Sequence, residues 1–493
     1  MSIDYNLYSR LGLPMDASPD EIRRAYREAA RRLHPDTNTE VGQTELFLGV
    51  QQAYDVLSDP VKKEAYDRSI PASEKQPPPI NFNLSYSRST LPKISESQLV
   101  YVLMELSALP ESKGAPSPPL NLCLVLDCSS SMQGTQMDTV KSTAIELIRQ
   151  LRPVDTVSIV AFNDRASVLV PASNHLDRSQ AETSIRMLQS RGGTEIYQGL
   201  ETGMSEILRF QSHNHKNHLI LITDGRTYGD EKPSLALGRR AAEMGIAISA
   251  LGIGSKWNDV FLDNLASATG GNCMYVARPK DIRKFLKEKF NGLSLNYAEN
   301  IALRFEVGEV AHLRYAFRLQ PDTAPLDTTS PLHFGSLPGD SSLNVLLEFE
   351  VNRIPADLNQ IILMQAHIAF DIPSKTTPIN VIRLNIQRPT SNNVENESPP
   401  ASIIQAMSRL TLYRMQEQAR KDVVDGRIRE ATRRLQNIAT HLLAQGNREL
   451  ARTILAEANY LQQHQTFSED GEKNLKYGTR SLLLPPEVED RSV

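Results

Sequence analysis

Two groups of residues in this 493-residue chain have types and spacings that can do chemistry. The first is Asp127-Cys128-Ser129-Ser130-Ser131, which follows the apolar run Leu122–Leu126 and is joined later by Gly192-Gly193-Thr194 and Thr223-Asp224-Gly225. Apart from the Cys128 thiol, the side chains here offer oxygen. Hydroxyls and carboxylates suit a small hard cation, and Mg²⁺ prefers six oxygens at ~2.1 Å, several of them from water. The same residue types cap helices and close turns, which is what any one of these loops alone suggests. The second group is His34-Pro35-Asp36, placed after a segment carrying Arg23, Arg24, Arg27, Arg31 and Arg32. A cationic strip attracts and orients an acidic partner surface, and Pro35 stiffens the loop beyond it.

The elements that must hold these groups are legible in the periodicity. Between Pro19 and Leu33 the residues Ile22, Ala25, Tyr26, Ala29 and Leu33 fall on one helical face, with the arginines on the rest. Ser18 and Glu21 form a capping box at its start. A second helix carries Phe47, Val50, Tyr54 and Leu57 and stops at Ser58-Asp59-Pro60, so the two predict an antiparallel hairpin with His34-Pro35-Asp36 in the joining loop. From Leu120 to about residue 290, strands at Leu120–Leu126, Asp155–Phe162, His218–Thr223 and Gly245–Gly252 alternate with amphipathic helices, which implies a parallel sheet covered on both faces. Its loops converge at the carboxyl edge of the strands. Residues 301–388 change to a period of two, as in Leu343/Val345/Leu347/Phe349/Val351, and so does Phe82/Leu84/Tyr86. One antiparallel β-sandwich is expected, its early strands before the α/β unit and its later strands after it. Residues 401–465 are again helical, with breaks at Gly426 and Gly446.

Pro/Ser/Asn-rich stretches at Ser69–Pro79, Pro110–Pro119 and Pro389–Pro400 read as linkers. The expected units are 1–68, a linker at 69–80, sandwich strands in 81–109, the α/β domain at 118–292, further sandwich strands in 297–388, helices at 401–465 and a mobile tail at 467–493. The 54 basic and 58 acidic side chains leave a net charge of −4, which argues against non-specific nucleic-acid binding. Cys123, Cys128 and Cys273 are too few and too far apart for a disulfide framework or a metal knuckle, so a reducing compartment is expected. Neither a signal-peptide pattern nor an apolar run of ~18 residues is present, so no membrane insertion and a cytoplasmic location are expected.

Residues 4–68 resemble a J-domain. The landmarks are Tyr5, Tyr8, Leu11-Gly12-Leu13, Ala25-Tyr26-Arg27, His34-Pro35-Asp36, the run Ala53 to Pro60 and Ala65-Tyr66-Asp67, in the family's order and spacing. The resemblance implies an Hsp70-type chaperone as partner. It also implies that His34, Pro35 and Asp36 stimulate that partner's ATP hydrolysis, and that Arg23, Arg24, Arg27 and Arg31 dock it. No Gly/Phe-rich or Cys-rich zinc region follows, so the chain looks like the J-only class. The second helix begins Leu46-Phe47-Leu48-Gly49-Val50 where the family is usually basic and aromatic, which bears on partner choice.

Residues 118–292 resemble a von Willebrand factor A domain with a complete metal-ion-dependent adhesion site. The resemblance implies Asp127, Ser129, Ser131, Thr194 and Asp224 as the metal's residues, with Mg²⁺, or another divalent ion such as Mn²⁺ or Ca²⁺, as cofactor. Neutral direct ligands leave much of the ion's charge unquenched, so an acidic residue of a protein client or scaffold is expected to complete the shell. The expected fold class is therefore multidomain, with α, α/β and β parts. A helical-hairpin J-domain precedes a Rossmann-like, doubly wound A domain inserted in an antiparallel β-sandwich, and helices close the chain. The order is similar to bacterial A-domain proteins and inter-α-inhibitor-like chains.

The leading expectation is a non-enzymatic adaptor that recruits an Hsp70 and holds a client through the metal. The alternatives are a metal-dependent assembly scaffold, or an accessory subunit of an AAA+ ATPase, with the J-domain used only for docking. Glu487 or Glu489 of the tail is an internal candidate for the metal's open position. His213, His215 and His218 are close in sequence but lack a standard zinc spacing.

Overall fold

The computed structural model describes residues 7–33, 43–70, 80–109, 118–226, 229–278, 281–375, 379–394, 397–444 and 446–481. The N-terminal unit contains α1 (Leu7–Arg10), α2 (Pro19–Leu33), α3 (Gln43–Leu57) and α4 (Pro60–Ser69). The box at the start of α2 is reciprocal: the Ser18 N–H donates to Glu21 Oε2 at 2.8 Å, and the Glu21 N–H to Ser18 Oγ at 3.3 Å. Helices α2 and α3 close on Ile22, Val50, Ala53 and Leu57, all buried, with Tyr26 and Tyr54 stacked at 4.0 Å between ring centroids. Asp59 caps α4 by accepting from Val61 N–H, and Pro60 occupies the first turn, where it has no helical bond to lose.

The chain then lays down β1 (Ile80–Tyr86), β2 (Leu91–Pro92) and β3 (Gln98–Ala108) before entering the α/β domain. That domain comprises β4 (Leu120–Asp127), α5 (Thr135–Gln150), β5 (Thr156–Phe162), β6 (Ala166–Ser173), α6 (Arg178–Arg186), α7 (Ile196–Leu208), β7 (Lys216–Thr223), α8 (Glu231–Glu243), β8 (Ala247–Ile253), α9 (Asp259–Ala268), β9 (Cys273–Val276) and α10 (Ile282–Leu295). The sheet order is β6-β5-β4-β7-β8-β9, with β6 antiparallel and the other pairings parallel. Strands β4 and β7 are buried along their whole length, as a sheet with helices on both faces requires.

Seven further strands return to the sandwich: β10 (Asn296–Val307), β11 (Ala311–Gln320), β12 (Ala324–Leu326), β13 (Leu332–Pro338), β14 (Ser342–Val351), β15 (Gln360–Asp371) and β16 (Ile379–Ser391). One sheet runs β1-β3-β14-β11-β12 and the other β13-β10-β15-β16-β2. Strands from both sides of the α/β insertion thus share each sheet, and β3 pairs in register with β14 from Ser107↔Ser342 to Gln98↔Val351. Buried cations join the two domains. Arg318 donates to the carbonyls of Gly270, Gly271 and Phe334 at 2.7–2.9 Å, and Lys216 Nζ to those of Leu293 and Asn296 at 2.8 Å.

Helices α11 (Ala401–Val424), α12 (Ile428–Ala444) and α13 (Arg448–His464) follow. Ile403, Ala406, Leu410 and Tyr413 of α11 pack on Leu103, Phe317 and Leu346 of the sandwich. Within the expected mobile tail, residues 471–481 instead form α14 (Gly471–Ser481), docked on α9. The reason is electrostatic. Lys476 Nζ meets Asp259 and, at 2.6 Å, Asp263, while Arg480 grips Asp263 with two bonds of 2.8 Å. Residues 482–493, with Glu487 and Glu489, lie outside the described residues, as do most of the expected linkers at 69–80 and 110–119.

Candidate functional site

Strand β4 sits between β5 and β7, so the loops after β4 and β7 leave the sheet side by side at its carboxyl edge. Asp127, the last residue of β4, is fully buried. Its Oδ1 accepts the Ser129 N–H at 2.8 Å and its Oδ2 the Thr223 hydroxyl at 2.6 Å. The hydroxyls of Ser129 and Ser131 are 3.0 Å apart, and Ser131 donates to Asp224 Oδ1 at 2.6 Å. Thr194 faces the same loops: a side-chain carbon placed on Gly225 would lie 2.8 Å from Thr194 Oγ1. The five residues singled out in the sequence are therefore brought together. The backbone stitches their loops to one another. Arg191 N–H donates to the Cys128 carbonyl at 2.8 Å, and Ser130 N–H to the Gly192 carbonyl at 3.1 Å. Gly192 has φ of +79°, a region that glycine adopts without strain.

Burial pushes the Asp127 carboxyl up to about 6, against the hydrogen bonds from Thr223 and Ser129 that favour its charged form. Asp224 is raised as well, again chiefly by burial. Among the described residues no salt bridge reaches either carboxylate. Two buried carboxylates short of positive charge, with hydroxyls between them, form a donor set that fits a hard divalent ion.

The other predicted group divides. His34, Pro35 and Asp36 lie outside the described residues. Arg23, Arg24, Arg27 and Arg31 are exposed on α2, but not all are unengaged. Arg23 bonds Asp20 at 2.6 Å, and Arg24 Nη1 bonds Glu306 Oε1 of β10 at 2.7 Å. One turn earlier on that face, Glu21 accepts from Arg383 of β16 at 2.7 and 3.2 Å, and that bond holds its carboxyl down at about 2. Sequence reasoning missed Glu306 and Arg383, because nothing local marks either as a partner of α2.

The three clustered histidines go separate ways. His213 pairs with Asp371, His215 with the Phe210 carbonyl and His218 with Ser249. Among the described residues no group of three or more His, Cys, Asp or Glu is arranged to hold a metal. A further connection was also unanticipated. Lys473 of α14 donates to the carbonyls of Ser255 and, at 2.7 Å, Trp257, while Arg226, two residues after Asp224, donates to that of Lys256 at 2.8 Å.

Comparison with known proteins finds three matching families along the chain. Residues 6–67 match the DnaJ domain, 121–288 the von Willebrand factor type A domain, and 401–485 the Sll0103-like, C-terminal alpha-helical domain. The last match carries the helical unit through α14, beyond the expected end at 465. The uncharacterized protein sll0103 of Synechocystis sp. is 29% identical over 380 residues, covering 75% of this chain and 89% of that protein. Chaperone protein DnaJ 1 of Mycobacterium leprae is 49% identical over 67 residues, 14% of this chain and 17% of that protein. Among solved structures, a von Willebrand factor type A protein from Catenulispora acidiphila shares the fold. Its TM-score is 0.65 at 15% identity, over 83% of this chain and 98% of that one. The chain thus carries a DnaJ domain and a von Willebrand factor type A domain on one scaffold. Among the described residues no helix is long and apolar enough to cross a membrane.

Proposed function

We propose that this protein is a cytoplasmic, non-enzymatic adaptor: its DnaJ domain stimulates ATP hydrolysis by an Hsp70, and its A domain captures a client or scaffold protein through a divalent cation. The observation that carries the reading is the convergence of Ser129, Ser131 and Asp224 within hydrogen-bond distance beside buried Asp127, on a chain that also bears a DnaJ domain. Asp127, Ser129, Ser131, Thr194 and Asp224 would hold the ion, with Mg²⁺ favoured by the all-oxygen set. When bound, the ion supplies a positive charge able to accept a carboxylate from the partner. The protein's own residues position it: Asp127 is fixed by Thr223, and Ser131 is oriented by Asp224.

In a single-turnover assay with an Hsp70 from the same cell, His34→Gln is expected to abolish stimulation with the fold intact; full residual stimulation refutes the co-chaperone half. Asp127→Ala or EDTA is expected to weaken capture of partner proteins, and capture indifferent to both refutes the metal half. In the alternative reading the DnaJ domain serves for docking alone, within a metal-dependent assembly scaffold or an accessory subunit of an AAA+ ATPase. Hsp70 binding without ATPase stimulation would select it.

A further inference from the structure

Beside the candidate metal loops lies an open groove of about 860 Å³, between the β5–β6 hairpin and the segment from α6 to Gly192. Cys128, Leu169, Met187 and Leu188 contribute to its lining, and Arg165 and Arg191 stand along it. Met187 is 74% exposed, a large apolar side chain left in water. Arg165 and Arg191 are both exposed, and neither guanidinium has a hydrogen-bond or salt-bridge partner among the described residues. Neighbouring cations differ. Arg149 is held by Glu182, and Lys141 donates to the carbonyls of Arg186 and Leu188. Asp164 also lines the groove, but its Oδ1 accepts the Gly193 N–H at 2.9 Å.

The two arginines are mechanically close to the candidate metal loops. Arg191 is tied by its N–H to Cys128, next to Ser129, and Asn163 accepts the Glu195 N–H at 2.9 Å. The Arg165 N–H in turn donates to Asn163 Oδ1 at 3.1 Å. A partner engaged at Ser129 and Thr194 therefore has this groove within reach. Free guanidinium groups beside an exposed Met form a surface of the composition enriched at protein interfaces, and unpaired cations select partners of opposite charge.

We propose that this groove seats an acidic, apolar-punctuated segment of the partner protein: one carboxylate at the cation, further carboxylates on Arg165 and Arg191, and an apolar side chain against Met187. The inference rests on the metal reading for its first contact only. Charge complementarity decides the occupant: even with Asp164 counted, Arg165 and Arg191 leave the groove positive, which an acidic segment meets and a basic one does not.

The test uses the full-length protein and two fluorescent peptides, Asp-Leu-Glu-Glu-Leu and its counterpart Asp-Leu-Lys-Lys-Leu, with 2 mM Mg²⁺ at ~50 mM salt, where surface charges are weakly screened. The acidic peptide is expected to bind at least about tenfold more tightly than the basic one. Arg165→Glu with Arg191→Glu is expected to remove that preference, and Met187→Asp to weaken the acidic peptide, while Mn²⁺ affinity measured by titration stays unchanged. No binding of the acidic peptide, or binding indifferent to the arginine reversal, overturns the proposal. Binding that needs the arginines yet survives EDTA supports the groove and overturns the metal reading. Binding lost to EDTA but indifferent to the arginines does the reverse.

Discussion

Arg24 Nη1 lies 2.7 Å from Glu306 Oε1, so a cation on α2 of the DnaJ domain is bonded to the β-sandwich of the same chain. The pairing runs along one side of α2, where Glu21 meets Arg383 at 2.7 Å. Arg23, Arg27 and Arg31 are exposed on the helix, and none of them bonds to the sandwich among the described residues. Of these four α2 arginines, Arg24 alone is thus tied to the sandwich among the described residues.

The Arg24–Glu306 pair is largely exposed on both sides, so its contribution is that of a surface ion pair, ~0.2–1 kcal/mol. Glu306→Ala is expected to strengthen Hsp70 association by no more than about fivefold, an effect that fades at high salt. Binding isotherms at two salt concentrations check this.

Glu21 has a carboxyl pKa held at about 2 by its bond to Arg383, below its ordinary 4.5. Its contribution to stability is therefore complete above about 4.5 and is lost as pH falls towards 2. Arg383→Ala is expected to lower Tm at pH 6, and the difference from wild type is expected to shrink progressively below pH 4.5. A difference independent of pH would assign the effect of Arg383 to packing rather than to this ion pair.

Asp263 is buried between Lys476 and Arg480, and these cations hold its carboxyl below the usual range against the opposing effect of burial. Asp263→Ala would leave both cations without their shared partner and is expected to cost about 3–5 kcal/mol. Urea unfolding measures the loss, and limited proteolysis is expected to cut α14 first.

A bound cation stabilises the folded state by mass action, ~2.7 kcal/mol at a concentration one hundred times Kd. Mg²⁺ is expected to raise the Tm of the wild type and to leave that of Asp127→Ala or Ser131→Ala unmoved. Gly225→Ala places a methyl group 2.8 Å from Thr194 Oγ1, and is expected to weaken the Mg²⁺ shift by displacing that hydroxyl. Thermal melts with and without EDTA read all of these.

Local patterns in the sequence were enough for several elements. The capping box at Ser18 and Glu21, the alternation in β14 and the run of apolar residues in β4 each encode an element within a dozen residues, because helix and strand periodicity is a local property. The Asp-x-Ser-x-Ser loop was legible for the same reason, following directly from a buried strand. Strand β9 carries no local signal, since its four residues are too short to show a period.

Chain order alone also determined that the sandwich is interrupted by the α/β domain, because both halves carry period-two strands. What only the tertiary structure decided is where the long-range charges go. Lys473, Lys476 and Arg480 read as the polar composition of a tail, yet their partners Ser255, Asp259 and Asp263 come more than two hundred residues earlier. The same holds for Glu306 against Arg24 and Arg383 against Glu21. Periodicity is written in neighbouring residues, whereas the pairing of charges depends on which surfaces the folded backbone brings together.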